Sequence, residues 1–527
     1  MKKMLVLILI LALSACASPV NPLPSTATLD QTMATTLLPL APTVTTGLAL
    51  PPVEGPDPSP RVAAFYYPWY GNLTVDGQWI HWDQVGFQPP KDISSDYMPA
   101  LGAYSSNDPA VVAQHMAWLR QAGVGVIIVS WWGQGPREQR PVPLILQMAR
   151  RYGIKVTFHI EPYSGRTADS LLSDVQYLYA HYGSDPAFFL STATSRYSPG
   201  SQPKPMFFLY SSDSKDNNNT PVQAAYWQAC MDAIHALPEG GLIIATPGRG
   251  NWVTDGHFDG LYNYVTLHLD QNGGFAWARS LPPQSLYIPS VIPGNSAQRI
   301  GYPADTLIPR LDGVTYANQW SAALGTGVQP ELVTVTSFNE WHEGSMIEPP
   351  ALGANNGKGY TYADFGKLPP DGYLTLTRQW VDKLLAMTWP PVIRARIQVT
   401  TTSDWTTLNV LSGGTWLRPE LVSADPGLVR SDMENGDQLL LAQSLADAQA
   451  GKRVQMTWDV QFSGLDPASK LVLEIDRGDI GSTQVTVYNY LGNTPVPVKT
   501  FRWGGVTNGR NPFNAEIPAS SLLNLAP

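Results

Sequence analysis

The chain has 527 residues, of which 43% are hydrophobic and 14% are charged, and its formal net charge is −9. A chain of this length exceeds one hydrophobic core, so we expect two domains. The composition excludes a mainly disordered chain, and the negative charge argues against a nucleic-acid partner, since no cluster of Lys and Arg offsets it.

The first residues have the pattern of a bacterial lipoprotein signal. Lys2 and Lys3 precede a short apolar run over Met4–Leu13, and the motif Leu-Ser-Ala-Cys that ends at Cys16 resembles a lipobox. We interpret residues 1–16 as the signal, with Cys16 as the lipidated residue that holds the protein on a bacterial membrane, at the cell surface or in the periplasm. A transmembrane anchor is the alternative, but the apolar run is too short to span a bilayer.

Residues 17–60 are rich in Pro, Thr, Ser and Ala and show no sustained period, which predicts a flexible tether. From residue 61 onward, apolar strand patterns alternate with helical patterns, as in parallel α/β folds. The predicted strands are Val62–Tyr67, Val124–Ser130, Val156–Glu161, Pro205–Tyr210, Leu242–Thr246, Phe258–Tyr264, Leu286–Ile292 and Leu332–Phe338.

Helical patterns separate most of these strands. Asp108 followed by Pro109 predicts one helix start, Gly153 predicts a helix end, and a further helix is predicted over residues 222–237. A closing helix is predicted over Tyr373–Met387, with its apolar side formed by Leu376, Trp380, Leu384 and Leu385. Eight strands predict a (β/α)8 TIM-type barrel over residues 61–390. A doubly wound open sheet is the alternative, but no Gly-rich phosphate loop follows the first strand.

The pattern changes to a period of two in residues 391–527. Val454, Met456, Trp458 and Val460 alternate with polar residues, and Gly and Asn clusters separate such runs. This predicts a C-terminal antiparallel β-sandwich. Whether it is a glycan-binding module or a structural cap on the barrel remains open, because no row of exposed aromatic residues is evident.

Candidate site residues follow five of the predicted barrel strands, at the end where barrel enzymes hold their active sites. Glu340 and Glu343 are the candidate acid and base. The candidate substrate-binding residues are Tyr66, Tyr67, His81, Trp131, Trp132, His159, Glu161, Tyr262, Tyr264, Asn339, Trp341 and His342. Together they predict an aromatic-walled cleft with three carboxylates, as a glycosidase requires. The alternative interpretation of Trp131, Trp132 and His159 is that they lie in the hydrophobic core and not in the cleft.

Other chemistries fit the sequence less well. It has no Gly-x-Ser-x-Gly motif, no His-Glu-x-x-His motif and no cysteine cluster, so we expect no metal and no cofactor. His257 with Asp259 and His268 with Asp270 are alternative ligand pairs, but no third ligand of matching spacing is evident. The expected partner is a polysaccharide or oligosaccharide, and we expect a monomer.

Four motifs resemble glycoside hydrolase family 99, the endo-α-1,2-mannosidases and endo-α-1,2-mannanases. They are Phe65–Gly71, Trp79–Trp82, His159–Tyr163 and Ser337–Gly344, in the order expected for the family. The resemblance extends from about Val62 to Met387 and does not include the sandwich. It implies a (β/α)8 fold and endo-cleavage of an α-mannoside with retention, without a metal.

The resemblance also implies roles for individual residues. Glu340 would be the base for the sugar's own 2-hydroxyl, which forms a 1,2-anhydro sugar, and Glu343 would be the acid and then the base for water. Glu161, Trp131, Tyr66 and a tyrosine at Tyr262 or Tyr264 would line the subsites. Glu340 as a direct nucleophile is the local alternative. Hydrolysis of another α-linked polymer and glycan capture without catalysis also remain open, although a pure binder needs no paired acids.

Overall fold

A computed structural model describes residues 50–135, 139–214, 222–246, 250–264, 275–303, 307–412, 415–417, 419–426, 429–432, 439–463, 470–478, 480–491, 494–504 and 513–522. The predicted signal with Cys16, most of the predicted tether, and the pair His268 and Asp270 lie outside these ranges. Within them, no helix combines the length and apolarity needed to cross a bilayer.

Parallel strands form the barrel that the sequence predicts. In chain order the strands of this region are β1 Ser59–Tyr66, β2 Val124–Trp131, β3 Lys155–Ile160, β4 Leu190–Ser191, β5 Lys204–Leu209, β6 Leu242–Ala245, β7 Gly260–Tyr262, β8 Leu286–Ile288, β9 Ser290–Val291 and β10 Val333–Val335. The short β4 is antiparallel to β5, and the others follow chain order around the sheet.

The segment from β8 to β9 closes the barrel. β8 pairs with β7 and β9 pairs with β10, which in turn pairs with β1 at Val62 opposite Val333. Because β8 and β9 are separated only by Pro289, they occupy one strand position, and the eight predicted strands correspond to eight positions of a TIM-type barrel. The predicted fold class is therefore confirmed.

The helices of this region are α1 Leu73–Asp76, α2 Pro109–Gln121, α3 Val142–Tyr152, α4 Ala168–Tyr182, α5 Gln228–His235, α6 Gly250–Thr254, α7 Val314–Leu324 and α8 Gly372–Ala386. The Asp108 side chain accepts a hydrogen bond from the backbone N–H of Ala110, and Gly153 ends α3 at φ 72°. The helix predicted over residues 222–237 begins only at Gln228, after a 3-10 turn.

The closing helix α8 buries a different face from the predicted one. Leu374, Thr377, Val381 and Leu384 form the buried stripe, whereas Leu385 is 54% exposed. Of the predicted row, Leu384 belongs to that stripe, whereas Leu376 and Trp380 are half-buried at its edge, where Trp380 stacks on Trp320 at 6.0 Å. Apolar residues surround much of this helix, so their spacing alone did not define the buried side.

The C-terminal region is the predicted antiparallel sandwich. Its elements are β11 Val392–Thr401, β12 Trp405–Ser412, β13 Thr415–Trp416, β14 Glu420–Ala424, β15 Val429–Asp432, β16 Leu439–Ala442, α9 Leu445–Gln449, β17 Val454–Ser463, β18 Lys470–Arg477, β19 Ser482–Leu491, β20 Thr494–Gly504 and β21 Phe513–Pro518. One sheet has the order β14-β17-β11-β19-β20, and the other has the order β15-β16-β12-β18-β21. Their inward faces share one hydrophobic core.

The sandwich contacts the base of the barrel, opposite the mouth. The backbone N–H of Gln284, just before β8, donates to Gln461 Oε1 in β17 at 3.0 Å. A cavity of about 250 Å³ lies beside this contact, lined by residues such as Arg279, Val328 and Phe462. Since the residues before barrel strands lie at the base, this contact is on the opposite side of the barrel from the mouth where the candidate site residues collect.

Candidate active site

The segment Asn339–Gly344 follows β10 at the mouth of the barrel and is fixed to the end of β1. Asn339 Oδ1 accepts from the backbone N–H of Tyr67 at 2.7 Å, and its Nδ2 donates to the Tyr67 carbonyl at 3.0 Å. Gly344 has φ 61°, and a Cβ there would lie 2.4 Å from the carbonyl oxygen of Ser296. The glycine therefore permits the close approach by which Ser296 N–H donates to the Glu343 carbonyl at 2.8 Å.

Three carboxylates meet at this mouth. Glu340 is 3% exposed, and its Oε1 accepts from the backbone N–H of His342 at 3.1 Å. Glu343, one helical step further, is half-buried. Glu161, at the end of β3, accepts from Ser130 Oγ at 2.9 Å, and its Oε1 lies 2.9 Å from His159 Nδ1. The structure thus brings together the three carboxylates that the sequence predicts for a glycosidase cleft.

Burial and mutual repulsion make both glutamates of the loop weak acids. Burial raises the pKa of Glu340 well above its usual value, and the charges of Glu343 and Glu161 raise it further, against the hydrogen bonds that it accepts from backbone N–H groups. Burial and the charge of Glu161 raise the pKa of Glu343 to about 7. Two neighbouring carboxylates of this kind retain a proton near neutral pH, as an acid and base pair requires.

This shift predicts that Glu343 destabilises the fold at alkaline pH. The folded-state pKa is raised, so the stability that protonated Glu343 contributes is complete below its unfolded pKa and is lost as the pH rises through about 7. Glu343→Gln, which stays neutral, should therefore unfold at a higher temperature than wild type at pH 8 and at a similar temperature near pH 4.5. Thermal unfolding across this range measures the difference, with the exposed Glu54→Gln as control. A constant difference at all pH values would contradict the prediction.

A pair of tyrosines lies among the carboxylates. The hydroxyls of Tyr67 and Tyr264 are hydrogen-bonded to each other. Burial raises the pKa of Tyr67, and the charges of Glu161, Glu340 and Glu343 raise it further. The Tyr67 hydroxyl is therefore close enough to all three carboxylates for their charges to affect its pKa, and it lies between them at the mouth.

Side chains alternate along a strand, so some of the other aromatic candidates face the surrounding helices and others face the site. Tyr66 is fully buried with its hydroxyl 2.9 Å from Nδ1 of His115 in α2, and Trp131 packs on Phe158 and on Tyr177 of α4. Both therefore lie outside the barrel, under helices, and not in the predicted subsites. Trp132 is half-buried and donates from Nε1 to Ser130 Oγ at 3.0 Å, beside Glu161.

Four further candidates are buried below the carboxylates and contact the residues around them. Asn339 and Trp341 are completely buried, and Trp341 Nε1 donates to Glu348 Oε2 at 3.0 Å. His159 connects Glu161 to Tyr262, since its Nε2 lies 2.6 Å from the Tyr262 hydroxyl. These contacts use the polar atoms of Asn339, His159 and Tyr262, so we assign them to positioning the carboxylates and not to contact with substrate.

His81 and His342 form one unit at the edge of the site. His342 is 6% exposed, and its Nε2 lies 2.7 Å from the carbonyl oxygen of His81. His81 has φ 65°, a conformation that costs energy for a residue with a side chain, and its ring stacks on Trp69 at 4.8 Å. Two candidates from separate motifs are thereby joined.

Sequence reasoning missed three residues here. Tyr210, after β5, has a pKa raised by burial and by the charges of Glu343 and Glu161, and the rule that found Tyr264 could have found it. Arg166 donates to the carbonyls of Ile160, Tyr210 and Ser211, which fastens two strand ends together. Tyr302 has a pKa raised by burial and by the charge of Glu343, but it lies in a loop with no sequence signal.

Among the residues that the structure describes, no three His, Cys, Asp or Glu side chains are grouped to hold a metal ion. His257 Nδ1 lies 2.6 Å from Asp232 Oδ1, and Asp259 is hydrogen-bonded to Ser195, His235 and the backbone of Ile243. These contacts join loops and helices at the base of the barrel, away from the mouth.

Comparisons with known proteins give one consistent family. The model of glycosyl hydrolase family 99 matches residues 59–386. Glycoprotein endo-alpha-1,2-mannosidase from Mus musculus is 34% identical over 359 residues, which cover 61% of this chain and 74% of that protein. The Xenopus laevis protein of the same name is 32% identical over 381 residues, covering 63% and 79%.

A solved structure is similar as well. The GH99 endo-alpha-mannosidase from Bacteroides thetaiotaomicron, in complex with BIS-TRIS-propane, is 32% identical. The likeness covers 62% of this chain and 98% of that one, with a TM-score of 0.54. The family match ends at residue 386, so the C-terminal sandwich lies outside it.

Proposed function

The chain belongs to glycoside hydrolase family 99, and on that premise we propose that it cleaves α-1,2-mannoside linkages within a glycan, with retention at the anomeric carbon. The observation that carries the proposal is the arrangement of Glu340 and Glu343 at the mouth of the barrel. Both have a raised pKa, so near neutral pH one carboxyl of the pair can be protonated while the other is ionised. That state is what one base and one acid require in a single step.

The proposed first step transfers two protons in opposite directions. Glu340 takes the proton of the 2-hydroxyl, and that oxygen attacks the anomeric carbon while the glycosidic C–O bond breaks. Glu343 gives its proton to the departing oxygen, which leaves as an alcohol, and a 1,2-anhydro sugar remains. The axial 2-hydroxyl of a mannoside is anti to an α leaving group, so the attack is geometrically open.

The second step reverses the roles of the two residues. Glu343, now ionised, takes a proton from water, whose oxygen attacks the anomeric carbon from the face that the leaving group vacated. The C1–O2 bond breaks, and O2 recovers its proton from Glu340. Two inversions give net retention, and both carboxyls return to their first state. A pKa near the working pH suits a group that must donate and then accept, which favours Glu343 for this role.

The walls of the cleft suit a sugar ring. Trp132 and Tyr264, which are half-buried, offer aromatic surface, and the Tyr67 hydroxyl and the Glu161 carboxylate offer polar atoms to sugar hydroxyls. A cleft of this kind buries the apolar face of a pyranose and pairs its hydroxyls, which is the usual composition of a glycan subsite. We therefore assign substrate contact to these four residues.

We expect the purified protein to release oligosaccharides from an α-mannan of defined 1,2-linkage. Product lengths distinguish internal cleavage from removal of terminal units, and NMR during the reaction reports the configuration of the first product formed. The double variant Glu340→Gln/Glu343→Gln is the matched control, since it keeps the size of both side chains but removes both carboxyl groups. Binding of the glycan without release would instead support capture, and cleavage of other α-linkages only would reject the mannoside.

We also propose that lipidation of Cys16 attaches the enzyme to a bacterial membrane and that it acts as a monomer, since one chain supplies all three carboxylates. Expressed in a bacterial host, the full chain should enter the membrane fraction and incorporate a labelled fatty acid. Cys16→Ser should abolish labelling and leave the protein outside that fraction. Labelling that persists in the serine variant would reject the lipobox interpretation.

A further inference from the structure

His342 lies between a backbone carbonyl and the carboxylate of Glu340, and these neighbours determine where its ring proton is. Its Nε2 is 2.7 Å from the carbonyl oxygen of His81, which can only accept, so Nε2 carries the proton. Burial lowers the pKa of His342 to about 4, although the hydrogen bond to His81 opposes this shift. The imidazole is therefore neutral near pH 7, and Nδ1 has a lone pair and no proton.

That lone pair faces Glu340. Nδ1 lies 3.5 Å from Oε1 of Glu340, the same oxygen that accepts the backbone N–H of His342. While Glu340 is ionised, two electron-rich atoms oppose each other across this gap, and protonation of the carboxylate relieves the repulsion. We propose that His342 is a positioning residue that favours the protonated form of Glu340 and thereby makes it a stronger base.

The inference rests on the proposed role of Glu340 as the base for the 2-hydroxyl. A sugar hydroxyl is a far weaker acid than a carboxylic acid, so its removal benefits from a carboxylate with a high affinity for protons. Burial and the other two carboxylates already act in this direction. Among the residues that the structure describes, the hydroxyls of Tyr67, Tyr70 and Tyr264 are further titratable groups that interact with Glu340.

The neighbourhood of His342 prevents the other tautomer. The His81 carbonyl also accepts from Ser94 Oγ at 2.7 Å, and the His81 ring is held between Trp69 and a contact of 2.9 Å from its Nδ1 to Gln84. His81 keeps φ 65° in spite of the cost, which places its carbonyl opposite Nε2 of His342. The strained backbone of His81 therefore serves to hold the tautomer of His342 in which Nε2 carries the proton.

The test isolates the titration of Glu340. In a Glu343→Gln background residue 343 is neutral at all pH values and does not titrate. A mannobiosyl fluoride still undergoes the first step in this background, because its leaving group needs no proton. The pH dependence of kcat/KM should then be a single rise whose midpoint reports Glu340. His342→Gln keeps an amide N–H near the His81 carbonyl without a lone pair at the Nδ1 position. His342→Asn places an amide at the Nδ1 position, where its NH2 can donate to Glu340.

We expect the midpoint to fall by about one pH unit in His342→Gln and by about two units in His342→Asn, because a donor replaces the lone pair. His235→Gln, at the base of the barrel, should leave the midpoint unchanged. Unchanged midpoints in both His342 variants would overturn the inference, and so would loss of the fold in both, since His342 would then act in folding. If Glu340→Gln kept the rate on the fluoride, the base assignment itself would fail.

Discussion

Glu343→Gln is expected to lower kcat/KM on an unactivated α-mannoside by about 10³-fold, because proton transfer to the leaving oxygen contributes on this order. The kcat/KM of the same variant on a mannobiosyl fluoride should stay within about tenfold of wild type, since it reports the first step and fluoride leaves without a proton. Glu340→Gln should lose about 10³-fold or more on both substrates, because an amide cannot take the proton of the 2-hydroxyl in either case.

This contrast assigns the two roles, which a simple loss of activity cannot do. Both glutamines preserve volume, and neither carries charge, so a general change in the electrostatics of the cleft would affect both substrates alike. Steady-state kinetics with the two substrates, measured for both variants, is sufficient. Equal losses on the fluoride for the two variants would exclude Glu343 as the acid. Full activity of Glu340→Gln on either substrate would exclude Glu340 as the base.

The conditions of the comparison follow from the pKa shifts. Wild type needs a proton on Glu343, whose pKa is raised to about 7, so its kcat/KM on the unactivated substrate should fall as the pH rises above this value. The fluoride reaction of Glu343→Gln should not fall there, because its amide has no proton to lose. Measuring both substrates near pH 6 avoids confusing this titration with the loss of a catalytic group.

The barrel and its mouth could be predicted because their signals are local. Runs such as Val124–Ser130 are continuously apolar, as strands buried on both faces are, and the strand order follows once a barrel is accepted. The loop Asn339–Gly344 was recognisable because two carboxylates follow a strand end. Family resemblance then supplied roles that spacing alone did not.

Orientation within the strands could not be predicted as well. Tyr66 and Tyr67 are adjacent aromatic residues, as are Trp131 and Trp132, and a strand turns one member of each pair inward and the other outward. Which member faces the cleft depends on where the strand ends and its loop begins. The structure favours Tyr67, bonded to Tyr264, and Trp132, bonded to Ser130, over their neighbours. The side chain one position earlier along the chain packs against a helix and not in the cleft, so an error of one residue is enough to assign the wrong side chain to a subsite.

Long-range support was also beyond the sequence. Nothing near Tyr302 in the chain indicates that it approaches Glu343, because its loop comes from another part of the barrel. Arg166 follows Glu161 closely in the chain, but its hydrogen bonds to the carbonyls of Tyr210 and Ser211 reach the end of another strand. Glu348 lies only a few residues after the candidate acid in the sequence. Its partners His115 and Tyr104, however, come from α2 and from the loop before α2. A carboxylate in a run of apolar and proline residues gives no indication of whether it faces solvent or a buried partner.

Glu348→Ala is expected to destabilise the barrel by about 3–5 kcal/mol, the usual consequence of removing one partner from a buried charged network. Glu348 is fully buried. Its Oε2 accepts from the Tyr104 hydroxyl at 2.9 Å and from Trp341 Nε1 at 3.0 Å, and its Oε1 lies 3.2 Å from His115 Nε2. Alanine would leave the buried Tyr104 hydroxyl without its acceptor, would leave Trp341 Nε1 with only the Tyr104 hydroxyl as acceptor, and would remove the carboxylate that faces His115.

The matched variant Glu348→Gln should cost less, about 1–2 kcal/mol, because its carbonyl can still accept from Tyr104 and Trp341. Its NH2 would then face His115, whose ring can accept at Nε2 if the proton moves to Nδ1 and the Tyr66 hydroxyl becomes the acceptor there. The exposed pair of Lys470 and Glu516 in the sandwich provides the control, since Glu516→Ala should cost no more than about 1 kcal/mol.

Denaturant unfolding, followed by tryptophan fluorescence, to which both the barrel and the sandwich contribute, measures the three costs. The alanine variant should also lose activity in samples that remain folded, because Trp341 follows Glu340 directly and takes its position from Glu348. Equal stability of the alanine and glutamine variants would show that the buried charge, and not the set of accepted hydrogen bonds, is what the fold requires. A cost below about 1 kcal/mol for alanine would mean that the network contributes no more than a surface ion pair does.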